Sequence, residues 1–314
     1  MAHKIVIAGG TGFLGRSIIN YLQQQTDIKI IVLTRGHSKK NHHVSYVHWD
    51  AKTAGDWINE IEESTAVINL VGKSVNCRYT TKNKQEIIAS RVDATVAIGQ
   101  AIQQLRYPPK VWINAGSAAI FGDGGDIIKD ENSAVGDGFS AEVCKIWEKA
   151  FLSIDTIHTR KVFLRIGLVF QKNTGLLQPF ANLVKTGFGG AIGKGDQYTS
   201  WIHEDDFVNV IYAALENEDY EGVIHCASPY PVTNKHFMTA LRSSLNRSFG
   251  FSNPALFVKL GAFFIGTEAE LVLKGRRVVS TILKEKNFVF QYPQIEDALQ
   301  HLLSSKQVYT FAKQ

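Results

Sequence analysis

The sequence predicts a doubly wound parallel α/β fold with a smaller, mostly helical C-terminal lobe. Three observations carry that expectation. Short β-branched runs alternate with helical spacing from Lys4 to Cys226. The runs are continuously apolar, as strands covered on both faces are. The first run ends in glycines that open a helix.

Lys4–Ala8 is a short apolar run with glycine flanks, a buried strand by length. Phe13–Leu22 places Leu14, Ile18, Ile19 and Leu22 on one helical face. Ile28–Leu33, Ala66–Val71, Val111–Ala115, Val162–Ile166 and Val223–Cys226 read as further strands. Lys84–Leu105 and Ser140–Ile154 read as helices between them. In the second, Ser140 follows the turn-rich Gly136-Asp137-Gly138 and is the expected N-cap. The pattern changes after residue 171. Gly187–Gly195 is rich in glycine, and its aromatic neighbours mark it as a packed loop. From Asn253 the segments are short and helical. Leu256, Phe257, Phe263, Phe264 and Ile265 are expected to pack between lobes.

The 314 residues are 45% apolar and 20% charged, an ordinary globular composition that excludes wholesale disorder. No apolar run reaches the ~20 residues of a membrane helix, and Lys4–Ala8 is too short for a signal-peptide core of ~7–15 residues. No membrane association is expected. Cys77, Cys144 and Cys226 lie far apart, with no disulfide framework and no metal-ligand spacing. A reducing, cytoplasmic setting follows. The net charge of +5 allows an anionic ligand but gives no concentrated basic stripe, so nucleic acid is not an expected partner. The oligomeric state is not legible.

Gly9, Gly10, Thr11, Gly12, Phe13, Leu14 and Gly15 follow the first strand and open the first helix, with glycines spaced GxxGxxG. A side chain at Gly9 or Gly12 would keep the backbone from a pyrophosphate, and Gly15 lets the helix pack on the strand. The helix N-terminus offers free N–H groups to the phosphates. This strand–turn–helix context marks a dinucleotide site of the Rossmann type. The second strand ends in Thr34-Arg35, without the carboxylate that would receive a ribose 2′-hydroxyl. Arg35 offers a guanidinium to a 2′-phosphate instead, and Thr34, Ser38, Lys39 and Lys40 add donors. NADP(H) is therefore the expected cofactor. Asp50 either caps the adenine region or is an ordinary turn aspartate.

With those residues the chain resembles the extended short-chain dehydrogenase/reductase superfamily. More closely it resembles the YfcH-like branch, an NAD(P)-dependent epimerase family that ends in a domain of unknown function. The resemblance rests on Gly9–Gly15, Leu33-Thr34-Arg35, Asn69-Leu70-Val71-Gly72, Ser90-Arg91, Trp147-Glu148, Ser200-Trp201-Ile202-His203 and the run from Leu273 through Phe290. It implies a Rossmann-type NADP-binding domain over residues 1–171, with 202–228 returning to it. Residues 229–314, with the loop 172–201, would form the substrate or accessory lobe. It further implies that Leu70, Val71 and Gly72 lie beside the cofactor riboses and that Arg91 contacts the cofactor, with Glu86 facing the same site. Val169 would lie near nicotinamide, and Ser117 would orient the substrate.

The superfamily's Tyr-x-x-x-Lys pair falls on Ser140 and Cys144, counting back from Glu148, and no tyrosine occurs between Tyr107 and Tyr198. Neither serine nor thiol replaces a phenol whose pKa a lysine lowers. His203 is the alternative proton donor, since histidine titrates in the useful range. Its bland alternative is a cap at a helix start. Lys73, Arg78 and Lys82 follow the strand that ends near Gly72 and either favour a small anionic substrate or form a solvated loop. The expected function is an NADP(H)-dependent epimerase or oxidoreductase on a small substrate. A non-catalytic NADP(H)-binding sensor or interaction module is the alternative.

Overall fold

The structure is a computed structural model that describes residues 3–25, 28–40, 44–172 and 174–304. β1 (His3–Ala8) leads through the glycine turn into α1 (Phe13–Leu22). β2 (Ile28–Thr34), β3 (Lys39–Lys40) and β4 (Val44–His48) follow, then the one-turn α2 (Ile58–Ile61), β5 (Ala66–Asn69) and the long α3 (Thr81–Gln104). β6 (Val111–Ser117) runs into a 3-10 turn. β7 (Ile128–Lys129), α4 (Phe139–Leu152), β8 (Arg160–Ile166), β9 (Leu168–Gln171), β10 (Thr174–Gly175) and α5 (Leu177–Lys185) come next. β11 (Tyr198–Thr199), β12 (Trp201–His203), α6 (Glu204–Glu216), β13 (Gly222–Cys226), β14 (Val232–Thr233) and α7 (Asn234–Ser244) complete the middle of the chain. α8 (Ala255–Ile265), α9 (Glu270–Leu273), β15 (Arg277–Val278), α10 (Thr281–Glu285) and α11 (Ile295–Leu303) form the tail.

The main sheet has the order β13-β8-β6-β5-β1-β2-β4-β3, parallel throughout except for the antiparallel edge pair β3–β4. From β1 the chain moves outward to β2 and β4, then returns to β5 on the other side. The strand order therefore reverses at the C-terminal end of β1, where doubly wound sheets hold their ligands. The continuous apolar runs explain the sheet: Val6, Ile7, Ile30, Val67, Ile68, Trp112 and Val162 are fully buried, with helices on both faces. α1 buries Gly15, Ile18, Ile19 and Leu22. Each such aliphatic side chain contributes about 1.5–3 kcal/mol.

A second core gathers Phe170, Trp201, Phe237, Leu241, Leu299 and Leu302. There the Phe170 ring stacks on Phe237 at 5.1 Å and on Trp201 at 6.1 Å. The tail divides between the two cores: α11 packs in this second one, and the segment before it does not. β15 pairs with β7, and Leu283 lies in the main core with Ile282, Phe288 and Phe290 against it. Two carboxylates of the earlier chain hold it there. Glu131 accepts from the Thr281 N–H (2.9 Å), the Thr281 hydroxyl (2.7 Å) and Ser280. The buried Asp206 accepts from the N–H groups of Gln291 (2.7 Å) and Tyr292 (2.9 Å).

Several expectations need correction. Helix α4 starts at Phe139, and its cap is Gly138 at φ 96°, a conformation that favours glycine. The Ser140 hydroxyl turns instead to Glu270 Oε1 at 3.3 Å. Strand β5 stops at Asn69, because the Asn69 side-chain oxygen accepts from the Val71 N–H (3.1 Å) and turns the chain. Leu256, Phe257, Phe263 and Phe264 do not pack between lobes. They stand 60–82% exposed on α8, while the Ile265 side chain lies outside the described residues. Residues 305–314 of the expected lobe also lie outside them. No helix among the described residues is long and apolar enough to cross a membrane.

Candidate functional site

The glycine turn is built tightly. A Cβ at Gly9 would stand 3.0 Å from the Leu70 carbonyl carbon and 3.2 Å from the Val71 nitrogen, so β1 and β5 approach to backbone contact there. Gly9 is also at φ 79°. A Cβ at Gly15 would stand 2.4 Å from Gly10 Cα, which presses α1 onto the turn. Gly12 caps α1 with extended backbone and no side-chain hydrogen bond, and the first turn carries no acidic residue. The first-turn N–H groups and the positive helix end therefore lack a side-chain partner, the arrangement that receives phosphate. Thr11 and Phe13 are exposed beside this turn and Leu14 is half-buried.

Thr34 ends β2, its hydroxyl accepting from the Gly36 N–H at 3.1 Å. Arg35 is exposed and pairs with no described residue. Ser38 is committed to the His48 N–H at 2.9 Å, and Lys39 lies over the Tyr46 ring at 4.6 Å. Asp50 is a turn aspartate. It accepts from Lys52 N, Thr53 N and Thr53 Oγ1 at 2.6–2.8 Å, and these bonds hold its carboxyl at about 2.

Leu70, Val71 and Gly72 leave β5 over a buried polar network the sequence did not reveal. Asn69 donates to Asn114 Oδ1 (2.7 Å) and Thr95 Oγ1 (3.2 Å), and the Trp147 indole donates to Thr95 Oγ1 (3.0 Å). These contacts fix α3 and α4 against β5 and β6 just below the loop. Arg91, reaching from α3, donates to the carbonyls of Lys73 (3.0 Å) and Ile87 (2.9 Å) and lies over Trp147. Its guanidinium passes 3.1 Å from where a Cβ at Gly72 would stand. Burial lowers its pKa, but the group remains a cation.

Glu86 does not face the glycine turn as a free carboxylate. It pairs with Lys73, which also donates to Asn83 Oδ1 at 2.8 Å, and that ammonium holds the Glu86 carboxyl below its usual range. Arg78 is likewise occupied, bonded to the Phe263 carbonyl and stacked 4.1 Å over the Phe263 ring. Of the two readings of the Lys73–Lys82 loop, these contacts favour the one without a ligand: Lys73 is paired to α3 and Arg78 to α8.

Ser117 ends β6, its oxygen accepting from the Ala119 N–H at 3.1 Å. Beside it is Cys144, buried, with its thiol pushed up to about 11 by burial. At neutral pH it stays a thiol, so it is no nucleophile. Glu148, of the Trp147-Glu148 pair, bonds Arg165 bidentately at 2.8 and 2.9 Å in the interior. Val169 is buried in β9 and pairs with Ile202.

His203 takes the capping role. Its Nδ1 accepts from the Asp205 N–H (3.0 Å) at the start of α6, and its Nε2 faces His301 Nδ1 (3.0 Å). The ring is fully buried against Tyr292, 4.0 Å between centroids, and burial lowers its pKa to about 3. Both nitrogens are used and the neutral form is enforced, which removes the expected proton-donor role.

Ser117 opens on a cavity of about 90 Å³ at the C-terminal ends of β6 and β8. Ile166, Leu168, Phe180 and Phe237 give it apolar walls, and Gln197, Lys274 and Arg276 give it polar ones. A wider cleft lined by Asp123, Asp196, Gln197 and Lys274 adjoins it. Arg276 is the site residue that sequence reasoning missed. It stands inside the quoted run from Leu273, but nothing in the spacing separates it from Arg277 beside it.

Comparison with known proteins shows the family. A model of the NAD dependent epimerase/dehydratase family matches residues 5–142, and a domain of unknown function (DUF1731) matches residues 253–302. The chloroplastic epimerase family protein SDR39U1 homolog of Arabidopsis thaliana is 33% identical over 95% of this chain and 86% of its own. The chain belongs to this epimerase family. Epimerase family protein YfhF of Bacillus subtilis is 30% identical over 96% of this chain and 99% of its own. Human epimerase family protein SDR39U1, solved with NADPH, superimposes at a TM-score of 0.84 with 25% identity, covering 96% of this chain and 99% of that one. The family match spans the sheet half and the DUF1731 match the tail, so the Ser117–Arg276 cavity lies between the two matched regions.

Proposed function

We propose that this family member binds NADP(H) and acts as an oxidoreductase or epimerase on a small substrate held beside Ser117, without a Tyr-Lys dyad. The observation that carries the reading is the uncapped, acid-free start of α1 under the glycine turn. The partnerless Arg35 at the end of β2 adds the preference for a 2′-phosphate. The human relative solved with NADPH supports it. Residues 1–171 with 202–228 would carry the cofactor, and the remaining chain the substrate wall. The three cysteines are free thiols, which suits a reducing, cytoplasmic setting.

When bound, the nicotinamide supplies or accepts a hydride. Gly9–Gly15 and the first turn of α1 would hold the diphosphate, and Leu70–Gly72 with Arg91 would flank the riboses. Ser117, whose oxygen accepts from the Ala119 N–H, would orient a substrate oxygen through its hydroxyl. Ser140 and Cys144 fall at the dyad positions and His203 is sealed, so the proton would come by another route, water or a cavity-lining group such as Tyr198 or Lys274. Calorimetry with NADPH and NADH tests the proposal. Binding of NADPH in preference to NADH is expected, and no heat with either coenzyme would overturn it.

A second reading has one observation in its favour. With Ser140 turned to Glu270 and Cys144 held as a thiol, the chain would serve as a non-catalytic NADP(H)-binding sensor or interaction module. Deuterium transfer from labelled NADPH into any metabolite of a cell extract would eliminate it.

A further inference from the structure

We propose that the Arg276 guanidinium docks the carboxylate of a compact oxo- or hydroxy-acid substrate in the cavity beside Ser117. The inference rests on the NADP(H)-dependent reading above and narrows its substrate.

Arg276 sits between α9 and β15 with its backbone pinned. Its N–H donates to the Tyr198 carbonyl at 3.0 Å, and its carbonyl accepts from Ser200 Oγ at 2.7 Å. The side chain is thereby aimed into the cavity that Ser117 lines. Its guanidinium donates to no described residue and forms no ion pair with one. Burial lowers its pKa, yet an arginine stays charged. The guanidinium is half-buried beside the cavity, and its donors are open to a ligand anion.

The carboxylates near it are committed elsewhere. Glu270 takes Lys274 Nζ at 2.7 Å and the Ser140 hydroxyl at 3.3 Å, and Asp123 takes the Gly275 N–H at 3.2 Å. The other cations around the site are committed too: Arg165 to Glu148, Lys73 to Glu86 and Arg78 to Phe263. Among the cations that line this cavity, Lys274 is paired with Glu270, whereas the Arg276 guanidinium has no acceptor among the described residues.

The cavity is small, about 90 Å³, and opens toward the wider cleft through Gln197 and Lys274. Its narrow end beside Ser117 and Arg276 suits a short acid. The planar fork of the guanidinium matches a carboxylate bidentately. With the acid on Arg276, the Ser117 hydroxyl meets an oxygen further along the chain, and the short carbon skeleton lies on Ile166, Leu168, Phe180 and Phe237.

The test is calorimetry of the NADPH-loaded protein with 3-hydroxybutyrate, which forms a dead-end complex because both partners are reduced. Butane-1,3-diol, inorganic phosphate and UDP-glucose are titrated in parallel. We expect 3-hydroxybutyrate to bind and the diol not to. We expect Arg276→Met to weaken the acid at least tenfold while NADPH affinity stays within twofold, and Arg276→Lys to restore part of the loss. Equal acid affinity in parent and Arg276→Met overturns the proposal. So does binding of phosphate or UDP-glucose through Arg276 without the acid, or no acid binding to protein that holds NADPH. The acid is also titrated into protein without coenzyme, so failure of NADPH to bind sinks the proposed function alone. Should Arg276→Met not fold, the Arg276 Nε–H resonance of the parent must shift on adding the acid, and a stationary resonance refutes the docking.

Discussion

Placing a carboxylate at Gly12 separates the fold from the phosphate site. Gly12 has φ −76° and ψ 177°, ordinary N-cap geometry for aspartate, and a Cβ there meets only the Gly9 carbonyl oxygen, at 3.4 Å. Gly12→Asp should therefore fold. Its carboxylate would accept from the first-turn N–H groups and complement the helix dipole, a gain of about 0.3–1 kcal/mol. At ~2–4 °C per kcal/mol, Tm should stay level or rise by up to ~4 °C. The same carboxylate would occupy the donors a diphosphate needs. One charge pair at ~4 Å and an effective dielectric of ~20 repels by about 4 kcal/mol. At 1.4 kcal/mol per decade, NADPH should bind about 100- to 1,000-fold more weakly. Calorimetry and thermal melts on one preparation measure both. A Gly12→Asp protein that melts like the parent and binds NADPH within tenfold of it would refute the placement of the phosphates.

Gly15→Ala makes the complementary case: with backbone at 2.4 Å it should lose about 1–3 kcal/mol by overpacking, seen as a lower Tm even without coenzyme. Arg35→Asp should cost NADPH far more affinity than NADH, and equal losses would remove the 2′-phosphate assignment. Glu148→Ala should destabilise by about 3–5 kcal/mol, because it strands a buried guanidinium, and Glu148→Met with Arg165→Met should recover much of it; denaturant unfolding of both proteins checks this. His203 is held neutral down to about pH 3, while the unfolded chain takes up its proton near 6.5. Its contribution is therefore intact above pH 6.5 and lost as pH falls. Relative to His203→Asn, which keeps a capping oxygen, the parent should lose about 1.4 kcal/mol per pH unit between pH 6 and 4 in urea titrations.

The sheet was legible because its strands are continuous apolar runs, and buried parallel strands require that composition. The glycine turn was legible because close backbone approach admits no other residue. What escaped the sequence depends on contacts between distant segments. Asn69, Thr95, Asn114 and Trp147 meet from four elements, and none is unusual in its own neighbourhood. Lys73 and Glu86 are thirteen residues apart, and their pairing emerges only when α3 folds back. Ser140 had the right composition for a cap, yet Gly138 provided a conformation serine avoids. The exposed face of α8 reads as core, because apolar composition alone does not say on which side a partner lies.

The two carboxylates that grip the tail bear on how the chain comes off the ribosome. Glu131 and Asp206 are synthesised well before Thr281, Gln291 and Tyr292, the residues whose amides they receive. Until those last segments emerge, the nascent sheet carries acidic groups poised for enclosure with nothing yet to neutralise their lone pairs. Full cooperativity must then wait for the end of translation. A product truncated before residue 277 should be a target for proteolysis rather than a smaller stable coenzyme binder.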